Sequence, residues 1–405
     1  MGEVVKRAYK YRFYPTPVQA EQLNRTFGCV RKVYNLALDA RTRAWAVDRQ
    51  RSTYVQSSAW LTEWKRTDEL AYLNEVSSVP LQQTLRHLQA GFAAFWDKRS
   101  RYPRFKTKRT SRASAEYTRS AFRWRDGQLT LAKMDAPLSI VWSRPLPANA
   151  QPSTVTVSRD AADRWFVSLL MKDSTVKSLP SLESAVGIDA GITSLLTLST
   201  GEKITNPRHE RADRRKLAKA QRTLSRKAKD SANRAKARLA VARIHSRIAD
   251  RRRDHLHKLS TRLVRENQTV VIEDLSVRNM LRNHSLARAI SDAAWTQLCS
   301  MIEYKAAWYG RTVIAVDRWH AEHEDLLGVR SDQHRHRSRR PRLDVPRLRR
   351  RARPGRQRRP QHPRRRAGGE VKRLWRDDKT RPAQAAKARP SETGTPSGDR
   401  GNPRP

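Results

Sequence analysis

Apolar and basic positions alternate near the start of the chain. In AYKYRFY (8–14), Tyr9, Tyr11 and Phe13 fall on one side and Lys10 and Arg12 on the other, a period of two that predicts a strand with one basic face. Helix start signals follow at once: Thr16 as N-cap, Pro17 in the first helical position and Gln19 completing a capping box. Gly28 predicts a break, with a second basic helix from about Val30 to Trp45. Two helices around a glycine fit a helix-turn-helix or an ordinary helical hairpin equally well. Over 79–98, Leu81, Leu85, Leu88, Phe92 and Phe95 recur at helical spacing and predict a core-facing stripe. Strands are predicted around 120–131, 138–143, 153–158 and 164–171, the last two separated by a turn over Arg159–Asp163. Together they make a small β-rich, barrel-like unit beside the N-terminal helices.

A polar stretch over 173–184 predicts a domain boundary. Beyond it, 185–204 reads as two strands joined at Thr200-Gly201. Residues 209–265 read as long helices rich in Lys and Arg, with Leu217, Leu224, Leu239, Ile244, Ile248, Leu256, Leu259 and Leu263 as their buried stripe. TVVIEDL (269–275) is a short, almost wholly apolar strand ending in two carboxylates, a pattern that suits the buried centre of an α/β sheet. A helix from about Ile290 to Tyr309 and a strand over Thr312–Val316 complete this part. The fold class predicted is α/β plus α+β. Residues 1–172 form the N-terminal region, 173–184 a linker, 185–319 an α/β domain with the basic helical insertion 209–265, and 320–405 a basic tail.

Charge narrows the function. The 405 residues carry a net charge of +46, with 85 Lys and Arg against 39 Asp and Glu. Such a field recruits polyanions, and nucleic acid is the commonest of them. In YPRFKTKRTSR (102–112), Tyr102 and Phe105 interleave with cations. Arg104, Lys106 and Lys108, with Lys10 and Arg12 of the first strand, are therefore candidate phosphate contacts, with aromatics free to stack on bases; a solvated linker is the alternative reading of that loop. Cys29 and Cys299 are the only cysteines and form no C-x-x-C pair, so the chain offers no cysteine-based zinc site. No apolar run approaches the roughly 20 residues of a membrane span. The start lacks a signal-peptide core, and Lys6 stands where a myristoylation motif needs Ser or Thr. The expected location is cytoplasmic, in association with the nucleoid.

Two acids carry the candidate chemistry. Asp189 ends one apolar strand and is followed by Gly191, and Glu273 ends another. A carboxylate in such a place is costly unless it is paired, protonated or bound to a cation. Side by side, the two would hold Mg²⁺, a hard cation that prefers oxygen ligands, and bound metal can activate water against a phosphodiester. Either acid alone is better explained as a turn cap or as the partner of an arginine.

The segments AYKYRFYPTPVQAEQL, PRFKTK, VGIDAGITSLLTLSTGE, VVIEDLSVRNM and VIAVDRW occur in that order over roughly 4–319. They resemble the TnpB (OrfB) proteins of bacterial insertion sequences, relatives of the single-effector CRISPR type V nucleases. The resemblance implies an N-terminal helical and β-barrel part that grips guide RNA and target DNA, followed by a RuvC domain of RNase H-like fold. It implies that Asp189, in GIDxG, and Glu273, in IEDL, are catalytic with Mg²⁺, and that base pairing with a guide RNA selects the DNA to be cut.

After VDRW (316–319) the pattern stops. The family has a four-cysteine Zn²⁺ ribbon and a third catalytic aspartate in an HDRDxNAA segment; neither is present here. Residues 335–366 instead hold 16 arginines and one acid, Asp344, and 320–405 contain no Phe, Ile, Tyr, Met or Cys. A segment of that composition is expected to be disordered. The histidines at 334, 336 and 362 lie among arginines and make poor metal ligands. Read one base out of frame, His320–Arg330 can encode TPSTKTCSACG, Leu343–Arg349 can encode WTCPxCG, and Ala352–Arg359 can encode HDRDVNAA. All three use one shift direction and fall in family order, so a one-base insertion near codons 319–320 is expected, with impaired nuclease activity. An arginine-rich RNA-binding tail is the rival reading, and a non-catalytic RNA/DNA-binding protein acting at transposon ends is the rival function.

Overall fold

A computed structural model describes residues 5–147 and 150–316; the tail beyond lies outside the described residues, as do the expectations that fall on it. The alternation at the start forms strand β1 (Val5–Tyr14), with Tyr9, Tyr11 and Phe13 buried. Thr16 and Gln19 make the capping box that opens helix α1 (Pro17–Asp48). Helices α2 (Tyr54–Trp64) and α3 (Ser78–Trp96) follow, and Leu81, Leu85, Leu88 and Phe92 of α3 are buried against α1 and the sheet. Strands β2 (Ala113–Thr118), β3 (Phe122–Arg125), β4 (Gln128–Leu131), β5 (Ser139–Val141), β6 (Thr154–Arg159) and β7 (Trp165–Asp173) complete this half. Its five-stranded antiparallel sheet runs β2-β6-β7-β1-β5, and β3 and β4 pair separately as a hairpin. The described pairings give that sheet two ends, at β2 and β5.

The second half holds β8 (Ala185–Ala190), β9 (Ser194–Leu198), β10 (Lys203–Thr205), α4 (His209–Ser225), α5 (Ala232–Glu266), β11 (Thr269–Glu273), α6 (Val277–Met280), α7 (Ala287–Ala293), α8 (Trp295–Tyr309) and β12 (Thr312–Val316). Its sheet runs β10-β9-β8-β11-β12. The first three strands are antiparallel to one another, while β8, β11 and β12 are parallel. Val270, Val271 and Ile272 of β11 are all buried, as expected of a central strand with both faces covered. Leu256, Leu259 and Leu263 of α5 and Leu298 and Ile302 of α8 share that core. The chain is therefore a mixed α/β protein.

Several predicted boundaries change. Helix α1 runs through Gly28 without a break, and the turn after it falls at 49–53, before α2, where Arg49 takes a left-handed conformation. Glycine weakens a helix by about 1 kcal/mol, less than is gained by burying Phe27, Cys29, Val30 and Val33 on either side of it. The stretch 120–131 is a hairpin rather than one strand, and 113–118 is a strand the pattern missed. The stretch 185–204 forms three strands where two were predicted. The helix over 290–309 is divided at Ala294, whose positive φ separates α7 from α8. Phe95 stays partly exposed, edge-on to Tyr102. In the basic insertion Leu217, Ile248, Leu256, Leu259 and Leu263 are buried, but Leu224, Leu239 and Ile244 are only half-buried. No residue from 218 to 247 is fully buried, so the outer part of the α4–α5 hairpin stands out from the core.

The predicted boundary at 173–184 is tied down at both ends. The buried Asp173 carboxylate accepts from Tyr9 Oη, from Arg7 Nη1 at 3.3 Å and from the backbone N–H and hydroxyl of Thr175. Farther on, Arg311 donates to the Pro180 carbonyl and Leu182 N–H to Gln268 Oε1. Between the halves, Arg164 bridges Asp160 beside β7 and Asp250 on α5.

Candidate functional site

Asp189 and Glu273 occupy matching places on neighbouring strands. In the parallel pair β8/β11, Val186 faces Val270, Gly187 faces Val271 and Ile188 faces Ile272; the two acids are the next residues along. Paired residues of parallel strands share a sheet face, and adjacent strands lie about 4.8 Å apart. Ile188 and Ile272 are buried in the core, so the acids that follow them point to the opposite face. Asp189 is exposed and Glu273 half-buried, with Thr197 of β9 paired opposite Asp189. Strand β8 ends one residue beyond Asp189, and β11 ends at Glu273. Gly191 donates to the Leu195 carbonyl and turns the chain into β9, and a Cβ there would lie 2.8 Å from the Ser194 carbonyl oxygen. After Glu273, Leu275 N–H returns to the Glu273 carbonyl and closes the strand.

Among the described residues neither carboxylate has an ion-pair or side-chain hydrogen-bond partner, although other acids such as Asp213 and Asp292 are held by arginines. This removes the arginine-partner explanation for Glu273 within the described part. Two hard oxygen donors, adjacent and left without a basic neighbour, suit a divalent cation. No group of three metal-ligating side chains forms among the described residues.

The candidate phosphate contacts divide. Lys10 and Arg12 lie on the outer face of β1, with Lys10 Nζ 4.1 Å from the centre of the Phe166 ring and the Arg12 guanidinium over Tyr14 and Phe166. Burial, then the nearby Arg253 and Arg112, lowers the Lys10 amine below its usual range. Arg104 and Lys108 are exposed. Lys106 is turned inward: its Nζ lies 3.8 Å from the Tyr34 ring centre, Asn35 binds its backbone on both sides at 2.8 Å, and burial depresses its pKa. Tyr102 is likewise occupied, packed on Phe92 and Phe95 and bonded to Thr42, whereas Phe105 is open.

A further cluster escaped the sequence reading. Arg208, Arg211 and Arg214, at the start of α4, meet Arg288 of α7 across a cleft of about 660 Å³ that also includes Ile192, three residues after Asp189. The basic spacing of 208–214 is visible in the sequence, but its approach to 284–292 is a long-range contact that no local pattern encodes.

The family models match both halves. One described as "Helix-turn-helix domain" covers residues 1–50, and one described as "Probable transposase" covers 168–284. A relative from Streptomyces pristinaespiralis named "Putative RNA-guided DNA endonuclease" is 72% identical over 319 residues, 79% of this chain and 79% of that protein. InsQ from Escherichia coli K12, which carries the same description, is 31% identical over 334 residues, 76% of this chain and 80% of its own. A solved Cas12f1–sgRNA–target DNA complex aligns with a TM-score of 0.47 and 11% identity, covering 78% of this chain and 89% of that one. With these identities over this much of both relatives, the chain belongs to the TnpB (OrfB) family of insertion-sequence proteins.

Proposed function

We propose that this chain derives from an RNA-guided DNA endonuclease in which Asp189 and Glu273 hold Mg²⁺ at a RuvC-like, RNase H-type site. The observation that carries the proposal is the placement, one step beyond the paired Ile188 and Ile272, of two carboxylates that have no ion-pair partner among the described residues. The strand order, three antiparallel strands flanked by two parallel ones, supports the fold assignment. Asp189 and Glu273 supply the oxygen ligands, and Gly191 lets the chain turn away directly behind Asp189. A divalent cation bound there would supply Lewis-acid charge to a phosphodiester. The exposed Lys10, Arg104 and Lys108 and the half-buried Arg12 are proposed to contact guide RNA or DNA backbone. Lys106 is proposed to position its loop against Tyr34. The described residues offer no helix long and apolar enough to cross a membrane.

The reading frame is part of the proposal. The Streptomyces relative aligns over 319 residues, as many as precede His320. The present chain is proposed to retain nucleic-acid binding and to cleave poorly, because the third carboxylate and the Zn²⁺ ribbon are written one base out of frame. Nucleotides spanning codons 315–360 test the frame. For function, the chain and its frame-corrected form are purified with RNA from the same element and assayed on matched DNA with Mg²⁺. The corrected form is expected to cut, and Asp189→Asn or Glu273→Gln to abolish cutting. A corrected form that binds but never cuts would favour the non-catalytic reading. Robust cutting by the present chain, lost in Asp189→Asn, would overturn the loss of activity.

A further inference from the structure

Asp189 lies where its strand loses a neighbour. Pairing of β8 with β11 runs from Ala185 to Ile188 and stops there, whereas pairing with β9 continues through Asp189 and Ala190. On the β11 side, the acid is therefore set by the turn that follows it. Gly191 N–H donates to the Leu195 carbonyl within that turn. Among the described residues, one side chain from elsewhere bonds to residues 190–193: Asn206 donates to the Ile192 carbonyl at 3.0 Å, and its own oxygen accepts the Arg208 N–H at 3.1 Å. Asn206 is a firm base for that reach. It directly follows β10, whose Thr205 pairs with Ser194 at the start of β9, and it precedes Pro207, whose ring fixes φ. Just beyond, Arg208 sits at a left-handed φ of 47°. Asp292 then holds the first turn of α4 by accepting the Glu210 N–H, and it also accepts from Arg252 of α5. An Asn-Pro turn needs no more than the bond to the Arg208 N–H. The donation to Ile192 is additional, and it lands three residues beyond Asp189.

We infer that Asn206 is a positioning residue for Asp189, holding the β8–β9 turn so that the carboxylate stands beside Glu273 ready to share a divalent cation. The inference rests on the reading of those two acids as a cation site. An uncharged amide suits the task, because it donates and accepts at once. Serine at this place could still accept from the Arg208 N–H in a weaker turn of the same kind, but its side chain is too short to reach Ile192. The two bonds of Asn206 can thus be separated by substitution. Groups that orient metal ligands are worth about 10- to 100-fold in metal affinity. Asn206 acts through the backbone, so its share is set at the lower end of that range.

The test reads metal binding by the full chain, without nucleic acid or cleavage. The probe is Mn²⁺, which takes the same oxygen donors as Mg²⁺ and whose free-ion EPR signal is lost on binding. Asn206→Ala and Asn206→Ser are each expected to raise the Mn²⁺ dissociation constant by about tenfold, while Asn206→Ser keeps more of the natural urea midpoint than Asn206→Ala does. The matched control is Asn35→Ala. Asn35 makes the same double bridge, donating to the Lys106 carbonyl and accepting its N–H, both at 2.8 Å, in the other half of the chain. Its loss is expected to lower the urea midpoint and leave Mn²⁺ affinity unchanged. In EDTA, hydrogen exchange at the Gly191 amide is expected to quicken in both Asn206 variants. Natural Mn²⁺ affinity in Asn206→Ser, equal weakening by Asn35→Ala, or unchanged exchange at Gly191 would each overturn the positioning role while leaving the cation site in place. Mn²⁺ binding that is the same in the natural chain and in Asp189→Asn would sink the cation reading, and the positioning role with it.

Discussion

Ile188 and Ile272 stand opposite each other across the parallel pair β8/β11, each one residue short of a carboxylate. Burying that pair fixes the register, and the register forces Asp189 and Glu273 together on the far side. Two like charges at about 5 Å repel by roughly 1 kcal/mol in a water-like medium. In EDTA, Asp189→Asn is therefore expected to leave thermal stability unchanged or to raise it by up to about 1 kcal/mol. Added Mg²⁺ should stabilise the natural chain, by about 2.7 kcal/mol at a hundredfold excess over its dissociation constant, and should do little for Asp189→Asn. Equal Mg²⁺ stabilisation of both would argue against a shared cation site.

Gly191 makes the turn behind Asp189 possible. A methyl group there would press against the Ser194 carbonyl at 2.8 Å, a backbone atom that cannot swing aside. Gly191→Ala should cost about 1–3 kcal/mol in urea unfolding, the usual range for overpacking. Any Mg²⁺-induced shift should weaken along with it, since the turn sets the exit from β8. A neutral outcome would mean that the turn relaxes freely.

Gly28→Ala should do the opposite. The glycine lies inside α1, with no atom within 4 Å of an added Cβ and without a positive φ, so alanine should stabilise by about 1 kcal/mol through helix propensity. If the chain turned at Gly28, the same change would destabilise, and the sign of the measured difference decides.

Gly28 also illustrates how far local pattern reaches. The capping box at Thr16, the alternation in β1 and the leucine stripe of α3 are set by neighbours in sequence, and each formed as predicted. The break at Gly28 did not, because burial of the flanking Phe27, Cys29 and Val30 outweighs one weak helix former. Ala294 is the reverse case. Nothing in its own identity announces a left-handed residue, and the division of α7 from α8 accompanies the seating of Trp295 in the core. The acids were legible because each ends an apolar run. That they are neighbours follows from strand pairing across more than 80 residues of chain. Lys106 looked like a phosphate contact for the same local reason, and Tyr34 and Asn35, far away in sequence, turn it inward.

Asp173 should be a sensitive point at the junction of the two halves. Burial alone would push its carboxyl up, but hydrogen bonds from Thr175, Tyr9 and Arg7 outweigh this and hold it below the usual carboxylate range. The Tyr9 phenol is raised to about 12 by burial and by the bond to Asp173. Asp173→Ala strands Tyr9 and Arg7 and should cost about 3 kcal/mol, as expected when one partner of a buried pair is removed. With a depressed folded pKa, the contribution of Asp173 is full above the ordinary aspartate value and is lost as pH falls through the folded one. Near neutral pH, the Asp173→Ala deficit should therefore not vary with pH.

Histidines set a separate, milder acid limit. His209 and His255 lie with ring centres 5.9 Å apart where α4 meets α5, and their buried Nε2 atoms have no hydrogen-bond partner among the described residues. Burial lowers both pKa values. Asp292 opposes this at His209, while His255, Arg252 and Arg251 reinforce it; at His255, Asp254 opposes and Lys258 reinforces. The folded state therefore binds fewer protons than the unfolded one as pH drops through the ordinary histidine value of about 6.5, and stability should fall over that interval. Urea unfolding at pH 7.5 and 5.5 should show the loss in the natural chain and a smaller one in the His209→Gln, His255→Gln double variant. An unchanged pH dependence in that variant would assign the acid sensitivity to other groups, with His257, whose pKa is also lowered by burial and by Lys305, the next to replace.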